Sequence, residues 1–330
     1  MKYDLIIIGS GAAGLAAGIY AGRYRMKTLI IGEKFGGETA SAGKIENYPG
    51  AKAIDGYDLM GIMRDQIGEL AISIDAHQVA AIERQEHCFT ISTAENTYEA
   101  HAVLFATGAK RRRLNLPNEE ALTGRGVHYC VTCDGPVYTG KTIAIAGGGD
   151  ASIKGVNLAA EYAKHIFLLV RGKEIAAEPV NYDAMQRLGD KITVLYETEV
   201  KELAGEKQLD KILLSKPYQD SSELIVDGLF VEIGAMPETA LAQSLGVMLD
   251  ERGYIKVDNL MRTNIDGVFA AGDAANHFGS FKQDITAAAL GAVAATSAYN
   301  DRKIHGELCQ IHMIPSMREV AIPSSPGVTA

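Results

Sequence analysis

The sequence predicts an α/β fold built from two similar units in which strands alternate with helices. A chain of 330 residues with 47% hydrophobic residues has more apolar material than one core normally serves, so we expect two domains. The second observation is an internal repeat. An apolar strand, a glycine-rich turn and an alanine-rich helix begin near residue 5, and the same pattern begins again near residue 142.

The first copy of the repeat predicts a βαβ unit over residues 3–33. An apolar strand at 5–8 leads into a turn, a helix to about residue 24 and a second strand at 28–31. The turn consists of Gly9, Ser10, Gly11, Ala12, Ala13 and Gly14. Such glycines permit close approach of a pyrophosphate, and the N–H groups at a helix start favour an anion, so we expect a dinucleotide. Glu33 lies near the usual position of a ribose-binding carboxylate, although Gly32 could equally occupy the strand tip.

The second copy has a strand at 142–146, a helix to about residue 163 and a strand at 166–170. Its turn consists of Gly147, Gly148, Gly149 and Asp150. One such motif is a weak signal, because an ordinary strand-to-helix turn can carry it, whereas two copies in one chain strengthen the prediction of two dinucleotide-binding units.

Two further apolar strands end in small residues, as ligand-facing strands do. One ends at Ala106-Thr107-Gly108, and the other ends at Ala270-Ala271-Gly272-Asp273 before an alanine-rich segment at 285–298. Asp273 is either the N-cap of a following helix or a carboxylate that accepts a hydrogen bond from a ribityl or ribose hydroxyl.

Charge and cysteine content narrow the class of protein. A formal net charge of −9 argues against a nucleic-acid partner, which usually requires a basic surface. The apolar run near the amino terminus is too short for a signal sequence or a membrane span, so we expect no membrane association. The four cysteines do not form the framework of a small secreted domain, and we expect a reducing, cytoplasmic compartment.

Cys130 and Cys133 form a C-x-x-C pair. Two thiols at this spacing can close a disulfide, and one can attack a partner's disulfide while the other resolves the intermediate. A zinc site would need further ligands, and neither a second C-x-x-C nor a His pair at a suitable spacing is present, so we expect no metal. The pair therefore predicts dithiol–disulfide exchange.

These motifs together resemble the low-molecular-weight thioredoxin reductases, which belong to class II of the pyridine nucleotide-disulfide oxidoreductases. The resemblance is specific because C-x-x-C-D lies just before the second glycine motif, whereas glutathione-reductase-like relatives carry their cysteines near the first. The matching segments are residues 9–14, 36–37, 46–50, 106–108, 130–135 and 267–273.

The resemblance implies two Rossmann-like, three-layer domains, one inserted in the other. An FAD-binding domain would comprise residues 1–113 and 240–330, and an inserted NAD(P)H-type domain with the cysteines would comprise residues 114–239. A homodimer is also implied. The implied FAD contacts are the first glycine turn, Glu33, Gly37, Glu38, Asn47, Ala106, Thr107, Gly108, Gly272, Asp273, Lys282, Gln283, Asp284 and Ile285. The family usually has glutamine in place of Glu38 and arginine in place of Lys282.

The resemblance also implies a route for electrons, from a donor to FAD, then to the Cys130–Cys133 disulfide, and finally to thioredoxin. Asp134 would protonate a leaving thiolate, which requires burial or a neighbouring thiolate to favour its protonated form; its alternative role is an exposed turn residue. Arg125 matches an arginine that the family places at its thioredoxin-docking surface, and solvated surface charge is the alternative there.

The electron donor remains open between three candidates. Family members that use NADPH carry His-Arg-Arg-x-x-x-Arg after the second strand of the inserted domain, because guanidinium groups bind the 2′-phosphate. Here residues 170–176 read Val-Arg-Gly-Lys-Glu-Ile-Ala, so only Arg171 remains. Gly147, Gly149, Asp150 and Arg171 are the implied nucleotide contacts. The candidates are NADPH held by Arg171 and Lys173, NADH, or reduced ferredoxin, as in ferredoxin-dependent relatives that lack the arginine motif.

Two further expectations concern the carboxyl-terminal tail and the function class. Residues 303–330 extend beyond the usual family end, and we expect this tail either to be disordered or to pack near the flavin of its own or the partner subunit. The alternatives to a thioredoxin reductase with NADPH or ferredoxin as donor are an NADH-dependent disulfide reductase and a flavin-binding redox sensor or interaction protein without efficient turnover.

Overall fold

The structure of the chain is a computed structural model that describes residues 2–85, 88–279 and 281–312, with side chains up to residue 303. It confirms the α/β class and the two parallel sheets. The chain divides into two compact units, the first containing residues 1–40, 45–108 and 238–330, and the second containing residues 41–44 and 109–237. The second unit is thus an insertion in the sequence of the first.

The strands are, in chain order, β1 (Lys2–Ile8), β2 (Thr28–Ile31), β3 (Lys44–Ile45), β4 (Ile54–Asp55), β5 (Ser73–Asp75), β6 (Val79–Arg84), β7 (Phe89–Thr93), β8 (Thr97–Phe105), β9 (Ala109–Arg111), β10 (Val127–His128), β11 (Thr142–Ala146), β12 (His165–Val170), β13 (Ile192–Tyr196), β14 (Val200–Ala204), β15 (Lys211–Tyr218), β16 (Ser221–Ile225), β17 (Gly228–Val231), β18 (Ala235–Pro237) and β19 (Val268–Ala270). The α-helices are α1 (Ala12–Arg23), α2 (Gly56–Glu69), α3 (Glu119–Leu122), α4 (Val131–Asp134), α5 (Asp150–Ala159), α6 (Pro179–Gln186), α7 (Ala240–Ser244) and α8 (Asp284–His312).

The first unit is organised around a parallel sheet in the order β5-β2-β1-β8, to which β7 and β6 add antiparallel strands. Strand β19 is also parallel to β8, near its carboxyl end. Side chains alternate along β1, so Leu5 and Ile7 face α1, α2 and α8, while Ile6 and Ile8 face the opposite layer. Because all four side chains are buried, β1 is fixed in the sheet centre and its carboxyl end presents the first glycine turn.

The second unit has three layers. A parallel sheet in the order β10-β17-β11-β12-β13 forms the middle layer. Ile143 and Ile145 of β11 pack toward α5, whereas Ala144 and Ala146 pack toward the antiparallel sheet β14-β15-β16. The small alanines let that outer sheet approach closely, and the second glycine turn follows β11 at the carboxyl edge of the middle layer.

The units change over at residues 108/109 and 237/238, whereas the sequence analysis expected 113/114 and 239/240. The physical reason is a short antiparallel pair, β9 with β18, which joins the two connecting segments to each other. Residues 41–44 also belong to the second unit, which the expected boundaries did not foresee.

Helix α8 begins at Asp284 and continues to His312, beyond the expected 285–298. The first ten residues of the expected tail are therefore helical. Residues 313–330 lie outside the described residues, and the predicted packing of the tail near the flavin stays a prediction. In the described part of the chain, no helix combines the length and apolar character needed to cross a lipid bilayer.

Candidate active site

The first glycine turn lies between β1 and α1 and has no room for a side chain at Gly9 or Gly14. A Cβ at Gly9 would lie 2.1 Å from the Ala106 carbonyl oxygen, and one at Gly14 would lie 1.9 Å from the Gly9 carbonyl oxygen. Gly9 also has a φ of +114°, a conformation that favours glycine. At the helix start, Gly11 is the N-cap with no side-chain cap and no acidic residue in the first turn. The N–H groups of α1 are therefore available to an anion.

The rest of this site comes from the ends of β8 and β19 and from the start of α8. Ala106, Thr107 and Gly108 directly follow β8, and the Thr107 hydroxyl donates to the Glu238 carbonyl oxygen at 2.5 Å. Gly272 and Asp273 form a short 3-10 turn after β19, so Asp273 does not cap a long helix. The Asn47 amide donates to the Gln283 side chain at 2.9 Å, and Thr39 donates to Asp284 at 2.5 Å.

Asp273 has the electrostatics of a ligand-binding carboxylate. Burial raises its pKa, the nearby charges of Asp284 and Glu38 raise it further, and the Lys282 ammonium only partly offsets them. Its carboxylate makes no hydrogen bond with any side chain or backbone group that the structure describes. A half-buried carboxylate in this state is a good acceptor for hydroxyl donors of a bound ligand.

Lys282 and Glu38, the two residues that depart from the family pattern, each interact with nearby residues. Lys282 donates to the Ala275 carbonyl oxygen at 2.5 Å and lies 4.4 Å from the centre of the Tyr254 ring. Burial lowers the pKa of Lys282, and Asp273 and Asp250 oppose that shift. Glu38 forms an exposed ion pair with Lys34 at 3.0 Å. Of the remaining expected contacts, Gly37 follows the turn of Gly36, Glu33 is exposed beyond β2, and Ile285 lies in the first turn of α8.

The second glycine turn has the same tight construction. A Cβ at Gly147 would lie 2.2 Å from the Glu232 carbonyl oxygen, whereas Gly149, the N-cap of α5, faces open space. Asp150, in the first turn of α5, interacts with other residues of the chain. Its carboxylate accepts from the Glu178 N–H and the Asn181 amide, both at 2.9 Å, and pairs with Lys154 at 2.9 Å.

These contacts decide the charge state of Asp150. Burial alone would raise the pKa of Asp150, but the Lys154 ammonium, the Glu178 N–H and the Asn181 amide hold it below its usual value. The Asp150 carboxylate is therefore ionised, and its oxygens interact with protein donors at the start of α5.

At the end of this site where a 2′-phosphate is expected to bind, two of the lysines lie near a carboxylate. Arg171 follows β12 and is exposed. Lys173 lies 4.0 Å from a carboxylate oxygen of Glu197, and Lys216 lies 3.9 Å from the other oxygen of the same group. Glu174 adds a further exposed carboxylate. A 2′-phosphate is usually bound by guanidinium donors, and here Arg171 is accompanied by the carboxylates of Glu174 and Glu197.

Cys130 and Cys133 form a disulfide with Cα atoms 5.3 Å apart. Cys130 is the N-cap of α4, and its sulfur accepts a hydrogen bond from the Cys133 N–H at 3.1 Å. Cys133 is exposed, and Cys130 is half-buried beside the Ser41 carbonyl oxygen, which lies 3.8 Å from its sulfur. A redox-active cysteine needs such partial access.

Asp134 closes α4 directly after the cysteines, and its carboxylate contacts a side chain that the sequence analysis did not single out. An oxygen of Asp134 lies 3.1 Å from Nδ1 of His128, a residue of β10 that is 8% exposed. Nε2 of His128 lies 2.7 Å from the Tyr138 hydroxyl. The sequence signal that could have identified His128 was a single histidine two positions before Cys130, at the end of an apolar strand. Arg125, the expected docking residue, is exposed.

No group of three or more His, Cys, Asp or Glu side chains is arranged to hold a metal ion in the part of the chain that the structure describes. The other cysteine with a described side chain, Cys88, is a free thiol.

Comparisons with known proteins give consistent results. The chain matches the family described as pyridine nucleotide-disulphide oxidoreductase over residues 3–295. It is 37% identical over 300 residues to a thioredoxin reductase from Mycolicibacterium smegmatis, covering 90% of this chain and 95% of that protein. Lactococcus lactis thioredoxin reductase matches with a TM-score of 0.85 and 31% identity, covering 91% of this chain and 99% of that one. A ferredoxin-flavin thioredoxin reductase from Clostridium acetobutylicum matches with a TM-score of 0.50 and 32% identity, covering 92% and 99%.

Proposed function

The chain belongs to the pyridine nucleotide-disulphide oxidoreductase family and, within it, to the low-molecular-weight thioredoxin reductases, and we propose that it reduces thioredoxin through FAD and its own disulfide. The observation that carries this proposal is the Cys130–Cys133 disulfide followed directly by Asp134. We also propose, from the family resemblance, that the protein acts as a homodimer.

The first unit supplies a site that fits FAD. The N–H groups of α1 would bind the pyrophosphate, and the Asp273 carboxylate would accept hydrogen bonds from hydroxyl groups of the bound cofactor. The Asn47–Gln283 pair and the turn at residues 106–108 would line the same site. Bound FAD supplies a two-electron carrier that can reduce a disulfide.

The exchange itself requires only the two cysteines, a proton carrier and the partner's disulfide. A thiolate of the reduced pair attacks the partner's disulfide, which forms a mixed disulfide and releases one partner thiolate. The second cysteine then attacks the mixed disulfide, closes the Cys130–Cys133 bond and releases the second thiolate. Two electrons and two protons move from the pair to the partner. Asp134 would carry a proton from a cysteine thiol to a leaving thiolate.

For the electron donor, we propose reduced ferredoxin in preference to NADPH. Support comes from the 2′-phosphate end of the second glycine turn, where Glu197 pairs with Lys173 and only Arg171 remains of the family's arginines. Support also comes from the similarity to the ferredoxin-flavin enzyme. NADH is the second candidate, because the glycine turn itself keeps an open position at Gly149.

The test is anaerobic mixing of the FAD-loaded protein with NADPH, NADH or reduced ferredoxin, with flavin absorbance as the readout, followed by addition of oxidised thioredoxin. We expect ferredoxin to bleach the flavin rapidly and thioredoxin to restore its colour. Prompt bleaching by NADPH would overturn the donor proposal. A Cys130→Ser protein should still bleach but fail to reduce thioredoxin, and Cys88→Ser is the matched control that should behave like wild type. Equal thioredoxin reduction by Cys130→Ser would overturn the function.

A further inference from the structure

His128 contacts Asp134, the proposed acid of the redox centre. It ends β10 and lies between Asp134 and Tyr138, with its ring stacked on Phe230 at a centroid distance of 5.4 Å. At 8% exposure, its position is set by packing. We propose that His128 is a positioning residue for disulfide exchange, which orients the Asp134 carboxylate for proton transfer. This inference rests on the proposed function.

The contacts define which ring nitrogen carries the proton. Burial, followed by the charges of Asp134 and Asp227, raises the pKa of Tyr138 to about 12, so the phenol keeps its proton. In neutral His128, Nε2 therefore accepts from the Tyr138 hydroxyl, and the proton resides on Nδ1. Nδ1 then donates to Asp134 at 3.1 Å. Tyr138 thus selects the tautomer that holds the carboxylate.

Holding the carboxylate matters because the Asp134 side chain is 39% exposed and would otherwise sample several rotamers. Fixing one oxygen on His128 restricts the carboxylate while the other oxygen can still exchange a proton. Proton transfer by a positioned acid depends on such geometry, and misplacement costs rate even when the group is present.

The positioned carboxylate carries a proton between the cysteine pair and the partner's leaving thiolate. No proton is consumed overall, because Asp134 returns the proton that it takes from a cysteine thiol. Two further charged groups, Asp227 and Lys141, act on Tyr138.

The experiment uses the full-length, FAD-loaded protein, pre-reduced and freed of reductant, and mixes it with oxidised thioredoxin in a stopped-flow instrument. His128→Asn retains an N–H that can donate to Asp134. His128→Leu removes that N–H. His165→Asn is the matched control, because His165 also lies at a strand end of the second unit and also has a side-chain hydrogen-bond partner, Thr193 at 2.9 Å.

We expect His128→Leu to slow exchange about tenfold or more, because the Asp134 carboxylate loses the N–H that holds it. His128→Asn should stay within about threefold of wild type, because its side-chain N–H can replace that of the imidazole. His165→Asn should exchange at the wild-type rate. Exchange slowed about tenfold or more in folded His128→Asn overturns the proposal even if His128→Leu fails to fold, and so does a wild-type rate in His128→Leu. If wild-type protein itself does not reduce thioredoxin, the proposed function fails instead, so the two failures are distinct.

Discussion

Asn47 and Gln283, which lie 236 positions apart in the sequence, are joined by a hydrogen bond of 2.9 Å between their side-chain amides. The bond holds the loop before β4 against the start of α8, at the edge of the site that fits FAD. We predict that Asn47→Ala weakens FAD binding by roughly five- to tenfold, because one net hydrogen bond contributes about 1 kcal/mol. Titration of apoprotein with FAD, followed by flavin fluorescence, measures the change.

The control for Asn47 is Asn264→Ala in the same unit. The Asn264 amide also makes hydrogen bonds, to Met248 and Gly246, but these close a separate loop. Its FAD affinity should equal that of wild type. If both variants lose affinity equally, the Asn47–Gln283 bond has no special role in the cofactor site.

The first glycine turn gives a sharper prediction, because its geometry excludes even a methyl group. A Cβ at Gly14 would overlap the Gly9 carbonyl oxygen, so Gly14→Ala must shift α1 away from β1. We expect a colourless protein with a clearly lowered melting temperature, which visible flavin absorbance and calorimetry measure.

Gly61→Ala provides the comparison for Gly14. Gly61 lies inside α2, and a Cβ there would meet nothing within 4 Å. Alanine loses less backbone entropy than glycine in a helix, so this variant should gain about 0.5–1 kcal/mol and keep its flavin. Retention of normal flavin content by Gly14→Ala would contradict the tight-turn argument.

The sequence was informative where local patterns carry the signal. The glycine spacing predicted both turns, and the apolar runs predicted β1, β2, β11 and β12 within a few residues. Periodicity cannot show side-chain pairs between distant segments, so the bond from Thr39 to Asp284 and the contact of His128 with Asp134 were found only in the structure. The C-terminal limit of α8 was also missed, since the alanine-rich run ends at 298 while the helix continues through Gly306 to His312.

We expect Asp273 to affect both the affinity for FAD and the way the stability of the apoprotein depends on pH. Burial raises the pKa of Asp273 in the folded state, so folded apoprotein binds more protons than unfolded chain between the two pKa values. Its stability therefore falls as pH rises through that window, and the ionised group is destabilising above it. We predict that Asp273→Asn raises the melting temperature of apoprotein at pH 7 but not in acid, while FAD affinity falls about tenfold or more.

Asp250→Asn should show the opposite sign. Burial alone would raise the pKa of Asp250, but the Tyr254 N–H, the Asn276 amide and the Arg252 N–H hold it below its usual value. Its ionised form is therefore stabilising above the unfolded-state pKa, and that stability is lost as pH falls through the folded-state value. Asp250→Asn should lower the melting temperature at neutral pH. The same sign for both variants would contradict these assignments.

The missing arginines of the second glycine turn can be restored to test the donor argument. Gly172 has room for a side chain, since a Cβ there would meet nothing closer than 3.7 Å, and Ala176 is exposed beside the turn. We predict that Gly172→Arg combined with Ala176→Arg lowers the KM for NADPH-driven flavin reduction by about tenfold or more, because hydrogen bonds to charged groups contribute about 1.5–3 kcal/mol each. Glutamine at the same two positions is the uncharged control. NADH-driven reduction should not change, and an equal gain with NADH would show that the arginines act on something other than the 2′-phosphate.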